Sequence, residues 1–280
     1  MWSKFTISNY NKFSKKNLIK AKCAYLNKLY KTKEIIMNLP NIKYTISNYN
    51  IDIKIIKELA FCKFVDYEGV INSLDELNIN IKILFNNNII YLKCTNKQFE
   101  SIKKRIDIYL KIISYFKNDN KPIVLYLILT NLKKKIYNEH EPLTAKNINS
   151  GYTDLSKNVI FIWRYEEFEK VTFHELIHFF NKDHRYETKY YEAITDFKAI
   201  NYNIIYISII TNIDIKILLN YEINFINNQC NYISKYKYNT NAYSYYIVKC
   251  YLFNKIFTQL DKVINNLNLN SCRMSLFELL

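Results

Sequence analysis

The sequence predicts an α+β, helix-rich fold, and three observations predict it. Apolar residues recur at helical spacing through much of residues 1–78 and again from residue 197 onward. Between these regions lie short runs rich in β-branched and aromatic residues: NIKILF and IIYLKCT, then IVLYLILT, then NVIFIWRY. A segment at 171–180 then returns to helical periodicity, directly after the last run. The expected architecture is a small mixed β-sheet built from 80–95, 122–130 and 158–165, a helix at its end, and a helical C-terminal subdomain. The expected division is an N-terminal helical region, 1–78, and a main domain, 79–280, split at residue 180 into sheet with central helix and lower helical subdomain.

Taken in order, residues 15–38 read as a basic amphipathic helix ending before Pro40, and 51–64 as a second helix. Residues 80–95 read as a hairpin around Asn86-Asn87-Asn88. Phe99, Ile102, Ile106, Leu110 and Ile113 give 97–117 the spacing of one helix, broken at NDNKP. The nearly unbroken apolar run 123–130 is expected to be a strand buried on both faces. Residues 131–157 are polar and irregular, and 158–165 alternate as a strand. Glu166 and Glu167 suit the N-terminus of the following helix, where negative charge is favoured. Helices are expected near 197–211, 214–227 and 242–267.

Composition limits the classes of function. The formal net charge is +15, yet only four arginines occur, at 105, 164, 185 and 273, and the lysines are spread along the chain. Abundant Asn, Ile, Lys and Tyr beside only two glycines and three prolines is what A+T-rich coding writes, so the charge reads as a solvated lysine-rich surface rather than a nucleic-acid footprint. The six cysteines are scattered without a CxxC pair, as for reduced thiols. The N-terminus has no apolar leader segment, and no stretch approaches the ~20 apolar residues of a membrane span. The expectation is a soluble intracellular protein.

The chemistry concentrates in VTFHELIHFFNKDHRYETKYYEAITD, residues 171–196, which hold three of the chain's four histidines. On a helix His174 and His178, four residues apart, share a face and can turn both imidazoles toward one ion. Glu175 sits about 100° further round, placed to take a proton from water without being a ligand. Phe173, Leu176, Ile177 and Phe180 form an apolar stripe to anchor the helix.

His174-Glu175-Leu176-Ile177-His178 is the HExxH pattern of the zincins, and the chain resembles that clan of zinc peptidases. The third ligand has two candidates. Glu192 and Asp196 form ExxxD, similar to the gluzincins, where the glutamate is the third ligand and the aspartate orients a ligand histidine. A helix from about Thr188 can return antiparallel to bring them in, with Ala193 and Ala199 allowing close approach. The alternative metal ligand is His184: HELIHFFNKDH resembles the metzincin motif with Asn181 in place of glycine. That pattern also needs a downstream methionine turn, for which Met274 is a poor fit, and Glu192 is preferred. The run of INSGYT, VIFIWRYEEFEKVTFHELIHFF and YEAITDFKA is also similar to uncharacterised zincin-like proteins of large DNA viruses. By the same resemblance 159–164 should flank the cleft and pair with extended substrate, and an oxyanion donor should come from Tyr243, Tyr245, Tyr246 or His184.

The resemblance implies a zinc metalloendopeptidase that hydrolyses peptide bonds by metal-activated water. Zn2+ is the cofactor, held by His174, His178 and Glu192; Glu175 is the general base, and Asp196 orients a histidine. A peptide or protein is the substrate, and no membrane partner is expected. A catalytically inactive zincin-fold binding or structural protein is the alternative, with nucleic-acid binding a weaker third reading.

Overall fold

The computed structural model describes residues 15–116, 121–136, 141–182, 188–236, 244–257 and 272–274. The fold is α+β, with one open, mixed, six-stranded sheet. Helix α1 (Lys15–Met37) leads to strand β1 (Tyr44–Asn48), helices α2 (Ile53–Ala60) and α3 (Tyr67–Asn72), and the hairpin β2 (Ile79–Phe85) and β3 (Asn88–Cys94). Helices α4 (Asn96–Lys103) and α5 (Ile106–Phe116) cross over to β4 (Val124–Thr130). A one-turn helix α6 (Ala145–Ile148) precedes β5 (Gly151–Asp154) and β6 (Val159–Arg164). Helices α7 (Phe168–Phe179), α8 (Thr188–Thr211) and α9 (Ile215–Ile233), a π-helical turn (Ser244–Val248) and α10 (Lys249–Phe257) follow.

Strand order is β1-β2-β3-β4-β6-β5. The central pairs β3–β4 and β4–β6 are parallel, and the outer strands add antiparallel. Both faces of the middle of the sheet are covered, which explains the apolar runs there. Leu125, Leu127, Leu129, Ile160 and Ile162 enter the main core beneath α1, α5 and α7 to α10. Ile128, Val159, Phe161 and Trp163 point the other way, onto Ile56, Leu59 and Val70 of α2 and α3.

Four expectations change. The N-terminal 1–78 stretch is not helical throughout, because Tyr44–Asn48 pairs with β2 as an edge strand. The helix expected over 97–117 is two helices. Its break turns Arg105 inward, where the guanidinium meets Glu169 of α7 at 2.8 Å. The polar stretch 131–157 contains β5, which pairs with β6 through a tight turn. There the Asp154 carboxylate accepts from Ser156 N at 3.0 Å and Lys157 N at 3.2 Å. Consequently 159–164 is an interior strand, buried along its whole length, and the strand at this edge of the sheet is β5.

Asparagine supplies most of the left-handed backbone. Asn86, Asn87, Asn158, Asn181 and Asn212 all have positive φ, and neither glycine does. Asn181 ends α7 in a Schellman arrangement: its own N–H donates to His178 O and Lys182 N to Ile177 O, both at 2.9 Å. Gly151 answers a different need. A Cβ there would lie 2.7 Å from Val171 Cγ1 and 3.2 Å from Glu175 Cγ, so its absence lets α7 approach the sheet edge.

Candidate metal centre

Helix α7 is buried on nearly every side, so its two histidines are held rather than displayed. Helix α8 runs beside it, and Ala193 and Ala199, both fully buried, permit the close contact. The result brings three ligand atoms together. His174 Nε2 lies 3.0 Å from His178 Nε2 and 3.2 Å from Glu192 Oε2, and His178 Nε2 is 3.4 Å from the same oxygen. Among the described residues these three are the group of His, Cys, Asp or Glu side chains that could hold a metal ion. An ion bound tetrahedrally at about 2.0–2.2 Å sets its ligand atoms about 3.3–3.6 Å apart; the triangle, at 3.0–3.4 Å, is slightly tighter than that and carries the nitrogen and oxygen donors that zinc accepts.

The surroundings fix each side chain. His178 stacks on Tyr191, ring centroids 5.2 Å apart. Tyr245, brought in by the π-helical turn, donates to Glu192 Oε2 at 2.9 Å and sits 5.9 Å from the His174 ring. π-Helical turns often accompany functional sites, because the extra residue per turn re-aims side chains. Burial, and the carboxylates of Glu192, Glu175 and Asp196, push the Tyr245 phenol well above its usual range, which keeps it a hydrogen-bond donor. Glu192 is the reverse case. Burial would raise its carboxyl, and His174 and His178 more than compensate, leaving it well below the ordinary carboxylate range.

Glu175 points to the sheet edge. Thr153 of β5 lies with its hydroxyl 2.8 Å from Glu175 Oε2 and 3.1 Å from the Glu175 carbonyl oxygen. The carboxylate is thus steadied from the edge strand that Gly151 lets come close.

Asp196 is fully buried behind His174, its Oδ1 3.4 Å from His174 Nδ1, in ion-pair range but short of a formed hydrogen bond. Its firm partners are two buried lysines: Lys170 at Oδ1, and Lys249 at Oδ2 at 2.7 Å. Burial alone would raise the Asp196 carboxyl, and these ammoniums hold it well below the carboxylate range. His174 feels opposing influences: burial lowers its basicity, while Asp196 and Glu192 raise it, with a net rise.

Sequence reasoning did not find Thr153, Lys170 or Lys249. Lys170 carried a readable signal, since it lies four residues before His174 on the same helix face. Lys249 carried none. Of the oxyanion candidates, Tyr245 is at the site, whereas Tyr246 donates to Cys272 O at 2.6 Å in the interior. His184 and Tyr243 lie outside the described residues. Met274, set aside as a poor fit, is nonetheless packed near Asp196: its Sδ is 3.6 Å from Lys170 Nζ, and its carbonyl accepts from Lys249 Nζ at 2.7 Å.

Glu166 and Glu167 do not cap α7. Glu167 stands at the N-cap position with φ 60° and makes no side-chain cap bond. Its carboxylate takes Lys134 Nζ at 2.8 Å and Met274 N at 3.0 Å, while Glu166 accepts from Lys134 N at 2.6 Å. A fully buried Glu167 would be raised by desolvation, but Lys134, Lys170 and Arg273 bring it down to about 2. A depressed carboxyl contributes stability that is present above the unfolded value of about 4.3 and lost as pH falls through the folded one. The stability that rests on this group is therefore present at neutral pH and declines progressively as pH falls from about 4 toward 2. Urea unfolding at pH 7 and pH 3 should register that loss, and Glu167→Gln should shrink the difference between the two pH values.

Comparison with protein-family models, curated proteins and solved structures finds no match to this chain. No helix among the described residues is long and apolar enough to cross a membrane.

Proposed function

We propose that the protein is a zinc-dependent metallopeptidase, with His174, His178 and Glu192 as ligands. The observation that carries this reading is the convergence of two imidazole Nε2 atoms and one carboxylate oxygen within 3.0–3.4 Å of one another. The zincin-like HExxH and ExxxD spacing supports it independently.

Zinc, when bound, supplies the Lewis acidity that activates water and polarises a carbonyl group near neutral pH. The chain's own groups have the remaining tasks. Glu175, steadied by Thr153, takes the proton of the attacking water and returns it to the leaving amine. Tyr245 stays protonated among three carboxylates, and on substrate binding its hydroxyl turns from Glu192 to donate to the oxygen on which negative charge develops. Asp196, its Oδ1 3.4 Å from His174 Nδ1, is placed to orient that imidazole from behind. Strand β5, at the sheet edge and tied to Glu175 through Thr153, offers main-chain hydrogen bonds to an extended peptide. This reading moves the peptide-pairing role expected of 159–164 outward by one strand.

Elemental analysis of the purified protein tests the proposal at its base. The expected result is about one zinc per chain, with hydrolysis of fluorescein-labelled casein that a chelator stops and added zinc restores. Protein that takes up no zinc on reconstitution would end the metallopeptidase reading. Zinc-loaded protein without hydrolysis of casein or a mixed peptide library would favour a zincin fold kept for binding.

A further inference from the structure

Three buried charges stand behind the metal centre, and their far side grips a piece of chain distant in sequence. Lys249 Nζ is 2.7 Å from Asp196 Oδ2 and 2.7 Å from Met274 O, so one ammonium joins the carboxylate behind His174 to the backbone of residues 272–274. The short segment is held at every residue. Cys272 N donates to Lys134 O at 2.8 Å, and Cys272 O accepts from Tyr246. Gln229 donates to Arg273 O, and Met274 N is bonded to the Glu167 carboxylate, which also pairs with Lys134. Lys170, one turn of α7 before His174, meets both Asp196 and Met274 Sδ. Lys170, Lys249, Asp196 and Glu167 are all essentially inaccessible to solvent. Nothing among them can be replaced by water without local opening, so the arrangement behaves as a unit.

We propose that Lys249 is a positioning residue that couples the metal centre to residues 272–274: docking of this segment tightens metal binding, and metal binding tightens docking. The inference rests on the metal-centre reading above and adds a dependence that reading does not require. With the segment undocked, Lys249 loses one of its two acceptors, and Glu167 loses the Met274 N–H. Asp196 keeps Lys170 and Lys249, but Lys249 is no longer anchored on its far side, so the carboxylate can shift relative to His174. Loss of such outer support typically costs 10–100-fold in metal affinity. Coupling of binding equilibria is reciprocal, so zinc should suppress undocking by the same factor.

Cys272 reports on docking in the unaltered full chain, because its thiol is fully buried and burial raises it to about 12. The experiment alkylates wild-type protein with N-ethylmaleimide, zinc-loaded or chelator-treated, and quantifies modification of each cysteine by mass spectrometry. Modification of Cys272 should be about 10–100-fold slower with zinc bound, while the exposed Cys23 reacts equally in both. Equal Cys272 rates in protein shown to carry zinc would overturn the coupling and leave the metal centre standing. Protein that binds no zinc would remove both. Lys249→Met supplies a second reading through the visible spectrum of bound Co2+. A folded variant should bind Co2+ about 10–100-fold more weakly and with an altered band shape, and an unchanged titration and spectrum would count against the proposal. Should Lys249→Met fail to fold, the wild-type alkylation rates decide alone.

Discussion

Glu175→Gln should retain zinc at the wild-type level and lose peptide hydrolysis by about 10²–10⁴-fold, the contribution of a positioned general base. The substitution keeps the length of the side chain and its ability to accept from the Thr153 hydroxyl, now 2.8 Å from Glu175 Oε2. It removes the basic oxygen. Glu175 is not in the converging group of ligand atoms, so metal content should be untouched. The two readouts therefore separate chemistry from assembly. Zinc analysis with a casein assay on wild type and variant is sufficient. A variant as active as wild type would remove Glu175 from the mechanism, while joint loss of zinc and activity would point to damage in α7 rather than to a missing base.

Glu192→Ala should lose zinc on dialysis against a weak chelator, under conditions where wild type and His184→Ala keep it. Glu192 Oε2 faces both imidazoles at 3.2 and 3.4 Å, and the Tyr245 hydroxyl fixes it at 2.9 Å. Removing the carboxylate leaves two neutral ligand donors and takes away the one anionic ligand of a divalent ion. The fall in affinity should exceed the 10–100-fold typical of a supporting residue, because a ligand is lost outright. Retention of zinc by Glu192→Ala, with loss in His184→Ala, would transfer the third position to His184.

The parts of this arrangement that were legible are those whose cause is local. His174 with His178, and Glu192 with Asp196, share helix faces at four-residue spacing, and that geometry is carried by the chain itself. The runs that became β4 and β6 were legible because helices bury both of their faces. The edge strands were not. YTISN is short and largely exposed, GYTD is short and half-buried, and only pairing with β2 and β6 makes them strands. The break before α5 was hidden because the contact it allows, the Arg105–Glu169 pair, joins residues far apart in sequence. Buried lysines were the least readable of all. Among 40 basic residues nothing marks Lys134 and Lys249 as interior until their carboxylate partners are placed in space, and Lys170 is hinted at only by its place one turn before His174.

The division of labour between asparagine and glycine bears on how such a sequence can drift. Where a turn asks only for positive φ, asparagine has taken the position, as at Asn86, Asn87, Asn158 and Asn181. Where the demand is for empty space, no side chain can substitute. Both glycines are of that second kind: a Cβ on Gly69 would meet Asp66 Oδ2 at 2.6 Å, and one on Gly151 would strike the helix that carries Glu175. Glycine in this molecule therefore marks close approach rather than turn geometry, and one of its two positions is beside the candidate catalytic base.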